Sequence, residues 1–149
     1  MNRLFSKSNI SHLGLVAMLG LAALYSTFNS TTAAAAESRV VLVGADETPP
    51  ATTSATGTGT ITVNDDKSVA GSVTTRGVDG TVAHIHLGAI GQSGPVVIAL
   101  VKSGDGVWSV PLGAKLTDSQ YSSYKAGNLY VNVHSEKYKA GEIRGQITP

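Results

Sequence analysis

The chain has 149 residues, 42% of them hydrophobic, a formal net charge of +1 and no cysteine. That length supports one modest hydrophobic core. The near-zero charge excludes the basic stripe that nucleic-acid binding needs, and the lack of cysteine excludes both a disulfide framework and thiolate ligation of a metal.

The N-terminus reads as an export leader. Arg3 and Lys7 make a basic start, Leu13 to Tyr25 is a short apolar run, and small residues follow, ending in Ala33-Ala34-Ala35-Ala36. A basic start, an apolar run and an A-x-A pattern make up a secretory signal peptide. The leader is predicted to span residues 1–36, with cleavage after Ala35 or Ala36. The run is shorter than the roughly 20 residues a spanning helix needs, so no membrane span is expected after cleavage. No cysteine follows the run, which excludes a lipid-modified anchor. The expected location is secreted, periplasmic or cell-envelope. Loss of Arg3 and Lys7 leaves residues 37–149 close to neutral and slightly acidic. This remaining domain must hold together by sheet packing, with a bound metal as the one staple still open to it.

The rest of the chain is dense in Gly, Thr, Ser and Val, and short on helical periodicity. Arg39 to Val43 is a β-branched strand candidate, and Asp46 to Ser54, with Pro49-Pro50, is a loop. Thr56 to Val63 and Ser68 to Thr75 are predicted to form a hairpin around Asn64-Asp65-Asp66-Lys67. A strand follows through Val82-Ala83-His84-Ile85-His86-Leu87, then a Gly-rich loop from Gly88 to Pro95, and a buried-looking strand from Val96 to Val101. Gly104-Asp105-Gly106 turns the chain into Val107 to Val110. Thr117-Asp118-Ser119-Gln120 has the form of a capping box, and Gly127 is placed to end that helix after Ala126. Leu129 to His134 and Glu142 to Thr148 are the last strands, joined by a turn through Lys137 to Gly141. Many short strands between turn signals predict an all-β fold, an antiparallel sandwich or barrel, with one short helix.

The histidines carry the functional signal. His12 falls in the leader, and His84, His86 and His134 fall on strands. Alternate residues of a strand face opposite sides, so His84 and His86 share one face while Ala83, Ile85 and Leu87 take the other. His134 shares a face with Tyr130 and Asn132, opposite Leu129, Val131 and Val133. If the two strands are neighbours, three imidazoles converge on one outer sheet face. Two strand residues spaced i, i+2 lie roughly 6.5–7 Å apart, within reach of one ion at about 2 Å from each nitrogen. Three histidines without thiolate suit copper or zinc.

The last strand puts Glu142, Arg144 and Gln146 on one face, and a hairpin with the His134 strand would bring them beside the imidazoles. Glu142 is a candidate to orient a ligand imidazole through its free ring N–H, with Asn132 and Tyr130 as further neighbours of the site. Arg144 is a candidate to draw in small anions. The bland alternative is a cross-strand Glu–Arg surface pair, worth under ~1 kcal/mol. Trp108 is expected in the core. Gly88 to Pro95 is followed by a strand and not a helix, which argues against phosphate binding. Asp65-Asp66 looks like a solvated turn.

Residues 83–146 resemble the CHRD domain family, named after repeats in chordin and widespread in secreted bacterial proteins. The likeness is carried by Ala83-His84-Ile85-His86-Leu87-Gly88, Gly94-Pro95-Val96-Val97, the Leu116-Thr117 helix start, Gly127 to His134, and Gly141-Glu142-Ile143-Arg144-Gly145-Gln146-Ile147. With the preceding hairpins it covers nearly all of residues 37–149. His84, His86, His134 and Arg144 also stand in the order of the copper ligands and guiding arginine of copper/zinc superoxide dismutases. No bridging histidine, zinc loop or disulfide accompanies them, so that likeness implies a copper-only site at most, and the two resemblances together imply an antiparallel β-sandwich of Greek-key, superoxide-dismutase-like type. Three functional readings result. One is a secreted protein that binds a metal ion, copper first, through His84, His86 and His134. Another is a structural or adhesion module without metal, meeting an extracellular or cell-envelope protein partner. The third is a copper-only redox enzyme in which Arg144 guides the anion, and the balance leans away from an enzyme.

Overall fold

The computed structural model describes residues 36–149. The predicted leader, with His12, lies outside the described residues. In chain order the strands are β1 (Ala36–Val43), β2 (Thr56–Val63), β3 (Val69–Arg76), β4 (Gly80–Leu87), β5 (Val96–Ala99), β6 (Val101–Gly104), β7 (Val107–Ser109), β8 (Leu129–Ser135) and β9 (Ile143–Ile147), with one helix, α1 (Asp118–Lys125), before β8. Among the described residues no helix is long and apolar enough to cross a membrane.

The strands form one antiparallel sheet in the order β5-β4-β8-β9-β1-β2-β3-β7-β6. β5 and β6 stand at opposite ends of that order, yet Leu100 alone separates them along the chain. The two ends of the sheet therefore meet, and the sheet wraps into a sandwich that is nearly a barrel. Leu100 donates its N–H to the Ala83 carbonyl at 2.9 Å and is buried at this seam.

The fold follows from alternation. Val40 and Leu42 of β1, Ile61 and Val63 of β2, Ala83 and Ile85 of β4, Leu129, Val131 and Val133 of β8, and Ile143 and Ile147 of β9 are all buried and pack in one core with Trp108. The expected β2–β3 hairpin is present with its turn at Asn64–Lys67, where Lys67 N–H donates to the Asn64 carbonyl at 2.8 Å. The capping box at Thr117 is also present. Its hydroxyl accepts from Gln120 N–H at 3.2 Å, and the Gln120 side-chain oxygen accepts from Thr117 N–H at 2.8 Å.

The run from Val96 to Val101 differs from its expectation as one buried strand. It breaks at Leu100 into β5 and β6, and Val96 and Val101 are 51% and 54% exposed. An edge strand has solvent on one face, so in this run only Ile98 and Leu100 are buried, with Val97 packing partly exposed against the core.

Candidate metal centre

β4 pairs with β8, and β8 with β9, so a polar layer forms on the face opposite the core. Register sets His84 opposite Asn132 and His86 opposite Tyr130. It sets Asn132 opposite Arg144 and Tyr130 opposite Gln146. His134 lies opposite Val82, one diagonal step from His84. Diagonal neighbours on paired strands remain within reach of long and aromatic side chains.

The three histidines converge. One nitrogen from each of His84, His86 and His134 lies within 4.8 Å of the others. The hydrogen bonds fix which nitrogens face the centre. Nδ1 of His86 meets the Gly94 carbonyl at 2.9 Å, and Nδ1 of His134 meets the Lys139 carbonyl at 2.9 Å. A carbonyl accepts only an N–H, so each of those rings carries its proton on Nδ1 and offers a bare Nε2. His84 brings Nδ1 to 3.2 Å from Nε2 of His134. Ligand imidazoles fixed by a partner at the second ring nitrogen are the usual arrangement around a protein-bound metal. Here the partners of His86 and His134 are backbone carbonyls, placed by the loop from Gly88 to Pro95 and by the turn before β9.

That loop covers the site and is pinned by β9. Arg144 donates from its two terminal nitrogens to the Gln92 and Ala89 carbonyls, each at 2.9 Å. Gln146 donates to the carbonyls of Gly88 at 2.8 Å and Gly127 at 2.7 Å. The Arg144 guanidinium also lies 3.4 Å over the Tyr130 ring, whose other neighbour is the His86 ring, 5.0 Å away and nearly parallel at 6°. Arg144, Tyr130 and His86 thus form one stack. Gly94 must be small, because a Cβ there would meet the Leu87 carbonyl oxygen at 1.8 Å.

Of the remaining residues singled out from sequence, Arg144 is 2% exposed, with its terminal nitrogens donating to loop carbonyls. Glu142 is buried, and its carboxylate accepts from the hydroxyls of Thr53, at 2.7 Å, and Ser135. Asn132 is buried on the same face as His86, and its side-chain oxygen has no hydrogen-bond partner.

The residue the sequence did not mark is Glu47. It lies in the loop after β1, is 6% exposed, and packs so closely on Gly141 that a Cβ there would sit 2.3 Å from its Oε1. The left-handed φ of Gly141, +136°, and this close approach both require glycine. Burial pushes the Glu47 carboxyl up to about 7, against the pull of the Arg144 charge. A loop residue has no strand or helix periodicity, so only its acidic character in an apolar, proline-rich stretch could have flagged it.

Burial holds the His84 imidazole below its ordinary value, and the nearby His134 and His86 rings add to the shift. Burial lowers His86 too, partly offset by its bond to the Gly94 carbonyl. Three buried polar atoms of this layer lack a hydrogen-bond partner: His86 Nε2, Asn132 Oδ1 and Glu47 Oε1. All three carry lone pairs. Orphaned buried acceptors are rare and call for an explanation, and a layer rich in unused lone pairs is built to receive positive charge. The donor set of three imidazoles, with carbonyls fixing two of them, fits a copper or zinc ion.

A family description, the CHRD domain, matches residues 38–147. No curated protein matches the chain. No solved structure matches it either.

Proposed function

The chain belongs to the CHRD domain family, and from that premise and the histidine geometry we propose that it is an exported protein that binds one copper ion through His84, His86 and His134. The observation that carries this reading is the convergence of three ring nitrogens within 4.8 Å, with the proton-bearing nitrogens of His86 and His134 turned onto backbone carbonyls. Histidines left on an outer sheet face by chance have no reason to aim bare nitrogens at one point, nor to be covered by a pinned loop. His86 is only 8% exposed, and its Nε2 has no partner. That is costly for an incidental residue.

Copper is favoured over zinc because nitrogen sites bind Cu(II) more tightly than Zn(II) in the general order of divalent affinities. The same site would hold zinc where copper is scarce. A binding role is favoured over an anion-consuming redox enzyme by Arg144, whose guanidinium is engaged by loop carbonyls and the Tyr130 ring. The leader over residues 1–36 is the reason for placing the protein in the periplasm, the cell envelope or the medium.

The test is a titration of the purified protein with Cu(I), Cu(II) and Zn(II) at neutral pH, beside a variant carrying His84→Ala, His86→Ala and His134→Ala. One equivalent of tightly held copper, lost in the variant, is the expected result. Absence of stoichiometric binding by any of the three ions would end the metal reading in favour of a non-metal interaction module.

A further inference from the structure

Asn132 borders every histidine of the site. Register sets it directly opposite His84, and it lies two residues before His134 on the same side of β8. His86, opposite Tyr130, is one diagonal step away. Opposite residues on antiparallel strands hold their Cβ atoms about 4.5–5.5 Å apart, and diagonal ones stay within reach of longer side chains. Of the positions on this face of β4 and β8, Asn132 is the one outside the histidines that neighbours all three.

Its side chain is also unspent. Asn132 is 2% exposed, and its Oδ1 has no hydrogen-bond partner. Nε2 of His86 is orphaned in the same way. Both atoms are acceptors, so neither can satisfy the other, and a bare buried acceptor is costly. The donors nearby are committed elsewhere. The terminal nitrogens of Arg144, opposite Asn132 on β9, donate to the Ala89 and Gln92 carbonyls. The Nδ1 protons of His86 and His134 face the Gly94 and Lys139 carbonyls. A cation is the one kind of partner that takes both sets of lone pairs at once.

No carboxylate competes for this role. Among the described residues the group of acidic, histidine and cysteine side chains able to share one ion is His84, His86 and His134 alone. The Glu142 carboxylate accepts from the hydroxyls of Thr53 and Ser135, and Glu47 packs on the Gly141 backbone. Three imidazoles leave a tetrahedral ion one ligand short. A side-chain amide oxygen is a known weak donor at the remaining position of histidine-rich copper sites.

We propose that Oδ1 of Asn132 is the fourth ligand of the histidine site, which makes it a centre of three nitrogens and one oxygen. This rests on the metal-binding reading of His84, His86 and His134. The consequence is selectivity. Oxygen is a hard donor and adds more to the hold on a divalent ion than on Cu(I). Asn132→Leu keeps the volume and removes the donor. It should weaken Zn(II) and Cu(II) by at least about tenfold, since loss of a mere orienting partner already costs that much, and Cu(I) by less.

The experiment uses the full chain loaded with Co(II) as a coloured stand-in for Zn(II). The chain has no cysteine, so Asn132→Cys introduces a single thiol. A thiolate bound to Co(II) gives an intense near-ultraviolet charge-transfer band, and one that merely lies nearby gives none. The expected result is such a band in Asn132→Cys, lost when His86→Ala is added. In parallel, wild type with 13C at the asparagine side-chain carbonyl is followed by NMR. With Co(II) bound, the Asn132 signal should shift by more than the through-space effect read from the backbone amides of β4 and β8, because coordination passes spin through the bond. If Co(II) binds at the histidines with no band in the variant and only a through-space shift in wild type, the proposal is overturned and the metal site stands. If neither Co(II), Zn(II) nor copper binds, the metal-site reading fails and this proposal with it. The NMR arm needs only wild type, so it decides the matter even if Asn132→Cys folds poorly.

Discussion

His84 and His134 share a single hydrogen across the 3.2 Å between Nδ1 of the first and Nε2 of the second. His134 has its own proton on Nδ1, facing the Lys139 carbonyl, so the shared hydrogen belongs to His84. Two nitrogens on one tetrahedral ion at about 2.0–2.1 Å are separated by about 3.3 Å. The metal-free pair already stands at that separation, so a cation can replace the hydrogen without moving either strand.

Replacing His134 with Ala should therefore weaken copper and zinc binding by at least about 100-fold, since loss of a mere orienting partner already costs about 10–100-fold. The fold should be little affected. His134 is only partly buried, and its removal costs the metal-free protein about 1 kcal/mol or less. The check is thermal unfolding with and without one equivalent of Zn(II). Wild type should gain about 2.7 kcal/mol when free metal reaches a hundredfold excess over its Kd, and His134→Ala at the same free metal should gain about 0.4 kcal/mol or less.

Arg144 should behave as a structural pin. Arg144→Met removes two charge-assisted bonds and leaves the Ala89 and Gln92 carbonyls without their donor. The expected cost is about 2–4 kcal/mol, read as a lower urea midpoint, with faster amide exchange across residues 88–95. Arg144→Lys should rescue little of it, because an ammonium cannot reproduce the planar fork. An arginine that acted only on incoming anions would leave the midpoint and the exchange rates of both variants unchanged.

Much of the fold was legible because period-two alternation is a local property. Ala83, Ile85, Val131, Val133 and Ile143 are core residues in the structure as their pattern requires, and the Thr117 capping box needed only four residues to be seen. Convergence of the histidines required the pairing of β4 with β8, strands more than forty residues apart, and alternation alone does not choose a partner. What the sequence left dark lies in loops. The carbonyls of Gly94 and Lys139 have no side-chain signature, and Glu47 reaches the polar layer only because the loop after β1 folds back onto Gly141. The break at Leu100 was hidden because a run of apolar residues looks the same whether it crosses one sheet or turns a seam between two edges.

Gly94 couples the loop to the site. A Cβ at this position would meet the Leu87 carbonyl oxygen at 1.8 Å, so Gly94→Ala forces the backbone aside and carries its carbonyl away from His86 Nδ1. Overpacking of this kind costs about 1–3 kcal/mol. The expected outcome is a moderate loss of stability in urea, together with weaker copper binding by about 10–100-fold, the range for loss of an orienting partner. Gly91→Ala, on the same loop but with open space around its Cβ, is the control. Its strain comes only from a φ of +73°, so it should lose some stability and keep its metal affinity.

The pH dependence of stability should carry the mark of Glu47. Its carboxyl is raised by burial from the ordinary 4.5 to about 7 in the folded protein. Between those values the folded state holds a proton that the unfolded state has lost, so folding is favoured by acid in that window. The contribution of Glu47 is fully present below pH 4.5 and fades as pH rises through about 7. His84 and His86 act in the opposite direction. Their imidazoles are lowered by burial, so the unfolded state takes up protons first and acid destabilises the fold through them. Glu47→Gln removes the first effect and leaves the second. Urea midpoints measured from pH 4.5 to 8 in metal-free protein should therefore shift between wild type and variant in a pH-dependent way. The variant should gain relative stability steadily as pH rises, and a constant offset across the range would show that the Glu47 carboxyl is ionised throughout.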